Sequence, residues 1–221
     1  MNGFRAAAPA VGLAMALCLL PAAARPAQSA VIDRIAAIVD HEVITLSEIS
    51  QMAGIRFFAR QAGQGEDDYR HFILDSLIAQ ALRYRDVERF GAEDISRDVI
   101  EARLQQIESR FASPAEFDTA VRDAQLTLDE VRTLIKRQLE VESYIQERFA
   151  PMIFVSSDEI DTYYRGPFAK ERAARGLPVP PLKDVQEDIR STLKASRLQQ
   201  EVDRWTAQLR SRANVDIYTW M

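Results

Sequence analysis

The sequence predicts a mainly α-helical fold with a small antiparallel sheet joining its N-terminal segment to its C-terminal strand. Three features carry that expectation. Capped amphipathic runs follow one another from Leu46 to Leu209. The strand-like run Val31-Ile32-Asp33-Arg34-Ile35-Ala36-Ala37-Ile38-Val39 near the start is answered at the far end by Asn214-Val215-Asp216-Ile217-Tyr218. Few glycines, 8 in 221 residues, and no repeat period of 20–50 residues argue against β-rich folds and solenoids.

The chain opens on a leader. Arg5 is the lone charge ahead of an apolar stretch from Ala6 to Leu20. At about 15 residues this stretch has the length of a signal-peptide core and falls short of the ~20 needed to span a bilayer. Ala22 and Ala24 supply small residues at −3 and −1, so residues 1–24 read as a signal peptide, with cleavage after Ala30 as the alternative and a retained anchor as the competing reading. Export places the protein in the periplasm, with no stable membrane insertion after cleavage. Cys18 is the only cysteine and lies inside the apolar stretch, where the bulky Leu17 before it argues against a lipoprotein site. The mature chain is then thiol-free, which removes disulfides, thiolate metal sites and cysteine nucleophiles from consideration. Formal net charge is −5, from 28 basic and 33 acidic side chains interspersed along the chain; without a Lys/Arg block, nucleic acid is not an expected partner.

Ile35–Val39 and Glu42–Ile44 are β-branched runs around Asp40-His41 and predict a hairpin. Thr45 with Glu48 makes a capping box, and a helix is expected from Leu46 to about Gln61, stopped by Gly63-Gln64-Gly65. A second helix is expected over Asp67 to Phe90, with Phe72, Leu74, Leu77, Ile78, Ala81 and Leu82 at helical spacing and Gly91 as its cap. Ser96 starts a helix through Val99, Leu104, Ile107 and Phe111; Ser113-Pro114-Ala115-Glu116 combines a cap, a first-turn proline and an acid. Thr127-Leu128-Asp129-Glu130 opens a helix through Val131, Leu134, Ile135, Leu139 and Ile145 that ends before Pro151, and Ser156-Ser157-Asp158-Glu159 opens a short one through Ile160 and Tyr164. Gly166-Pro167, Gly176-Leu177-Pro178 and Pro180-Pro181 then break the pattern, so 166–183 reads as a loop of ~18 residues, below the ~50 of a domain. Val185, Ile189, Leu193, Leu198, Val202, Trp205 and Leu209 form one face of a long final helix, assigned to the core, and Val215 and Ile217 alternate as a strand. Added to the hairpin, that strand would make the three needed for an independently stable sheet.

Residues 32–40 followed by Val43-Ile44 and Leu46-Ser47-Glu48-Ile49 resemble the opening of SurA-type periplasmic chaperones. Val155-Ser156-Ser157-Asp158-Glu159-Ile160-Asp161-Thr162-Tyr163-Tyr164 is similar to the segment that closes the helical part of that family's N-terminal module, and Val185 to Ile217 resembles its C-terminal helix and strand. The resemblance implies a chaperone domain at 31–165 and a C-terminal element at 184–221 that packs back on it. It also implies clients among unfolded precursors of outer-membrane proteins. Longer members of the family carry parvulin prolyl-isomerase domains in the interval that is here the loop 166–183. That loop cannot fold a parvulin, so the chain reads as the chaperone core with those modules absent.

Little in the sequence points to catalysis, a cofactor or a metal. Glu66-Asp67-Asp68 is a helix N-terminal charge pattern, His71 with Asp75 an i,i+4 surface pair, His41 a solvated turn residue, and Ser156-Ser157 caps. There is no phosphate loop, zinc-ligand pair or nucleophile elbow. The expected function is an ATP-independent holdase for unfolded polypeptides; the alternatives are a prolyl isomerase of the SurA/parvulin type and a scaffolding subunit of an envelope assembly. Ile49, Met52, Ile55, Phe57 and Phe58 on the first helix are too many for one ~100° stripe. Met52, Ile55, Phe57 and Phe58 are therefore one candidate client-binding set, and Met152, Phe154, Tyr163, Tyr164 and Phe168, beside a proline and the loop, are the other.

Overall fold

The computed structural model describes residues 33–91 and 93–218. The expected leader, its cleavage sites at Ala24 and Ala30, and Cys18 lie outside the described residues.

Strands β1 (Ile35–Val39) and β2 (Glu42–Thr45) form an antiparallel hairpin across Asp40 and His41, and β3 (Val215–Ile217) pairs antiparallel with the other edge of β1. The order is β2-β1-β3, with Val39 opposite both Glu42 and Val215. Alternation puts Ala37, Val39 and Ile44 on the buried face, and a register slip between Ile35 and Ala37 turns Ala36 inward as well. Asp40 fastens the clasp. It sits at φ 54°, a left-handed conformation that Asp tolerates better than most residues. Its N–H donates to Asn214 O at 2.7 Å, its Oδ1 accepts from the Asn214 N–H at 2.8 Å, and its Oδ2 pairs with Arg85.

Helix α1 (Leu46–Gly54) starts where the cap predicts, with Thr45 Oγ1 accepting from the Glu48 N–H. It ends well before the expected Gln61. Phe57 N–H bonds back to Met52 O (2.9 Å) and Arg56 N–H to Ala53 O (3.0 Å), a Schellman closure with Arg56 in the left-handed position at φ 50°. Glycine is the usual signal for that closure, and its absence here hid the helix end.

On α1 pack α2 (Glu66–Phe90) and α4 (Pro114–Asp123); α5 (Leu128–Phe149) packs on α2, and α3 (Arg97–Glu108) on α5. Ile73, Leu74, Leu77, Ile78, Ala81 and Leu82 of α2 meet Ile49, Met52, Leu104, Ile107, Val131 and Ile135 in one core. Ser96 stands at the start of α3, but its side chain makes no cap bond; Ser113 and Thr127 do cap α4 and α5. Helix α4 repeats the Schellman closure: Leu126 N–H bonds Val121 O, Gln125 N–H bonds Arg122 O, and Gln125 takes φ 56°. Because Gln125 is exposed, Gln125→Gly is expected to stabilise the fold by about 0.5–1 kcal/mol, the left-handed strain relieved less the greater entropy of the unfolded glycine. A urea midpoint that falls would contradict this.

After a 3₁₀ turn (Ala150–Met152), α6 (Ser157–Tyr163) runs through one π turn (Tyr164–Phe168) into α7 (Ala169–Ala174). The expected loop 166–183 is thus helical as far as Ala174, and 175–181 connect to α8 (Leu182–Arg210). Pro167 lacks an N–H and its ring crowds the preceding turn; widening to π spacing, with Ala169 N–H reaching Tyr164 O, absorbs it without ending the rod. The Gly-Pro pair read as a breaker is a bulge.

Helix α8 serves two clusters. Its first half, through Ile189, packs on Val155 and Ile160 of the α6 region; its second half carries Val202 and Trp205 against α2 and α5 and then delivers β3. Ser156 and Glu159 form a reciprocal capping box at α6, and Arg197 of α8 reaches both Glu159 and Phe154 O. The Ser156 N–H and hydroxyl, and then Arg197, hold the Glu159 carboxyl below the usual glutamate range, as Thr127 does for Glu130. Depressed native carboxyls contribute stability above the unfolded value and lose it as pH falls through the lower native one. Acidification from about pH 5 to pH 3 is therefore expected to lower the urea midpoint, and Glu159→Gln to flatten that slope. Among the described residues, no helix is long and apolar enough to cross a membrane.

Candidate functional site

An open groove lies between the N-terminal approach to α3, the outer face of α5 and the middle of α8. Its volume is about 740 Å³, within the ~300–1,000 Å³ of ordinary ligand sites. Buried Leu139 and Val202 form the floor, half-buried Ile95, Ile145 and Leu198 the walls, and Val99, 48% exposed, one lip. The rim is polar: Glu93, Asp94, Ser143, Gln146 and Gln199. A second cleft of about 330 Å³ shares Arg83, Glu142 and Ile145 with the first and extends the surface along α2 to Phe72 and Phe58. The groove exists because α8 is longer than the partners that cover it. The α8 stripe is sealed at Ile189 by α6 and at Trp205 by α2 and α5, and between them half-buried Leu198 faces the gap that Val202 floors.

The walls are held rigidly. Glu142 is gripped by Arg103 through two bonds of 3.0 and 2.7 Å and by Gln138 at 2.9 Å. Arg83 Nε donates to Thr206 Oγ1 at 2.7 Å, and burial pushes its guanidinium down from the usual arginine range. At the acidic lip a hydrogen bond with Glu93, helped by desolvation, raises the Glu147 carboxyl, while Ser143 opposes the shift. An apolar trough with a polar rim suits an extended polypeptide segment with apolar side chains. Among the described residues, no group of His, Cys, Asp and Glu could hold a metal ion.

The two candidate sets from the sequence divide. Met52, Ile55 and Phe57 are core, at 1%, 0% and 4% exposure, because the turn at Arg56 folds Phe57 back onto Met52 instead of continuing the helix outward. Phe58 is half-buried, edge-on to both Phe57 and Phe72, and lines the smaller cleft. Tyr163, Tyr164 and Phe168 pack on Val155, Ile160 and Ile189; Tyr164 stacks on Phe168 and donates its hydroxyl to Pro180 O at 2.7 Å. Met152 and Phe154 stand out at 68% and 74% exposure. The structure does not bring the two sets together, and the groove residues Ile95, Val99, Ile145 and Leu198 belong to neither.

The chain is similar to SurA chaperones. It is 24% identical to the chaperone SurA of Saccharophagus degradans over 138 residues, 61% of this chain and 32% of that protein. It is 26% identical to the chaperone SurA of Alkalilimnicola ehrlichii over 156 residues, 68% of this chain and 36% of the relative. The match thus spans about a third of the length of these SurA relatives. No protein-family model matches the chain.

Proposed function

We propose that the protein is an ATP-independent holdase chaperone of the periplasm that binds unfolded polypeptides, outer-membrane β-barrel precursors among them. The observation that carries this reading is the groove of Leu139, Val202, Leu198, Ile145, Ile95 and Val99: a trough with an apolar floor, left open along a helix that is sealed at both ends. The similarity to SurA chaperones supports the same direction. An extended client laid in the trough buries every second side chain against the floor and turns the others to the polar rim, a fit for strands that alternate apolar residues. Ordering a flexible client costs entropy, so binding is expected to be modest in affinity and quick to exchange, with release needing no nucleotide.

The test is suppression of aggregation. Purified protein at one- to few-fold molar ratio should keep a diluted, urea-unfolded β-barrel precursor from scattering light, without ATP. If several unrelated apolar clients aggregate at their unassisted rates in its presence, the holdase reading fails. A proline-limited refolding assay on the same preparation separates it from isomerase activity, which would show at substoichiometric protein.

A further inference from the structure

Another pocket, of about 700 Å³, opens where α1 ends and α2 begins, and its lining is mainly basic: Arg56, Arg60, Arg70 and Arg110, with Glu66 and the aromatic walls Phe58 and Tyr69. Four guanidiniums share one cleft of a chain whose net charge is −5. Two of them are already engaged. Arg56 meets Glu116 at 3.4 Å and donates Nη1 to Arg110 O, and Arg60 meets Glu66 at 3.0 Å and donates Nε and Nη2 to Gln64 O; both ion pairs are half-exposed, of the kind that contribute little. Among the described residues, Arg70 and Arg110 form no ion pair: Arg70 donates to Ser50 Oγ at 3.0 Å, its Nε is buried without a partner, and the Arg110 side chain donates to the carbonyls of Arg56 and Phe57. Partial burial pushes the Arg110 guanidinium down from the usual arginine range, with Tyr69 opposing the shift and Arg103 adding to it. Like charges gathered this way repel unless an anion joins them.

The donors are planar forks, which match a carboxylate and a phosphate alike, so local charge and the size of the cleft decide between them. Glu66, Asp67 and Asp68 in the first turn of α2 oppose any anion beside them, and a compact dianion more than a single carboxylate. The cleft is much larger than a free phosphate needs, and Phe58 lines both this pocket and the cleft that continues into the groove. We propose that the pocket captures an acidic side chain of the same polypeptide whose apolar segment lies in the groove, an assignment that rests on the holdase reading. It makes the protein select apolar segments flanked by Asp or Glu.

The test uses the whole protein and C-terminally amidated fluorescent peptides read by anisotropy. One carries an apolar segment with a flanking Glu pair, one the same segment with Gln in place of Glu, and one is a Gly/Ser chain bearing only the Glu pair. The Glu peptide should bind about tenfold more tightly than its Gln twin at low salt, with the gain lost near 0.5 M salt. The gain should also vanish in R60Q/R70Q while the Gln peptide binds unchanged. Arg110 is left intact because its carbonyl bonds hold the turn at Arg56 and Phe57. Equal binding of the twins, or a gain that survives R60Q/R70Q, overturns the proposal. So does competition by inorganic phosphate without any Glu preference. Failure of the Gln peptide to bind sinks the holdase reading instead; the Gly/Ser peptide then decides the pocket alone, its binding supporting a carboxylate site and its silence ending it.

Discussion

Trp205→Ala is expected to lower the free energy of unfolding by about 3–5 kcal/mol. The indole is 7% exposed, with its ring centroid 5.7 Å from that of Tyr144 and 5.4 Å from that of Phe149, and its Nε1 donates to Asp86 Oδ2 at 3.3 Å. Truncation removes three kinds of interaction at once. The apolar burial leaves a cavity where α2, α5 and α8 meet, the two ring contacts vanish at about 0.5–1.5 kcal/mol each, and Asp86 loses its donor. The loss is also directional. Trp205 sits one helical turn and a short bend before β3, so loosening it loosens the strand that clasps β1. Chemical denaturation should show the fall in midpoint, and hydrogen exchange should show the β3–β1 amides opening more than those of α3. Trp205→Phe keeps most of the packing and should cost less than half as much. A Trp205→Ala loss under about 1 kcal/mol would mean that α8 is held mainly by Ile189 and the sheet.

The helix starts were legible because capping is local chemistry. Thr127 with Glu130 and Ser156 with Glu159 each satisfy orphan amides within four residues, and both boxes form as the sequence implies. The β3 pairing was legible because Val215 and Ile217 alternate and a lone hairpin needs a third strand. Helix ends were less legible where the chain uses an unusual residue for a usual task. Arg56 and Gln125 occupy left-handed positions that glycine ordinarily marks, and Pro167 is absorbed by a π turn instead of ending the rod. The first of these displaced a functional expectation as well, since a helix running past Arg56 would have carried Phe57 outward. The groove was not legible at all. Leu198 and Val202 are four residues apart on one stripe of α8 and chemically alike, yet Val202 is buried at the floor of the groove while Leu198 stands half-exposed in its wall. The spacing of apolar residues sets which face a helix presents, not whether anything comes to meet it.

That gap is where function should be most sensitive. The double variant Val99→Glu/Leu198→Glu is expected to weaken binding of an unfolded client roughly 30- to 100-fold and to abolish aggregation suppression at equimolar ratio. The two side chains stand on opposite walls, Val99 on α3 and Leu198 on α8, so a segment in the trough touches both. Removing two apolar contacts that the client would bury costs about 2–3 kcal/mol together, and two new carboxylates add to an edge that already carries Glu93 and Asp94. Stability should change by no more than about 1 kcal/mol, because Val99 is 48% exposed, Leu198 is half-buried, and the core residues Val202, Trp205 and Ile189 are untouched. Met152→Ser/Phe154→Ser serves as the counterpart. These are the two most exposed large apolar side chains among the described residues, yet neither lines the groove. If the client lies in the trough, this variant should bind nearly as well as the unmodified protein. If instead Met152→Ser/Phe154→Ser loses the client while Val99→Glu/Leu198→Glu keeps it, polypeptide is held on the turn between α5 and α6, and the trough is only a gap in packing.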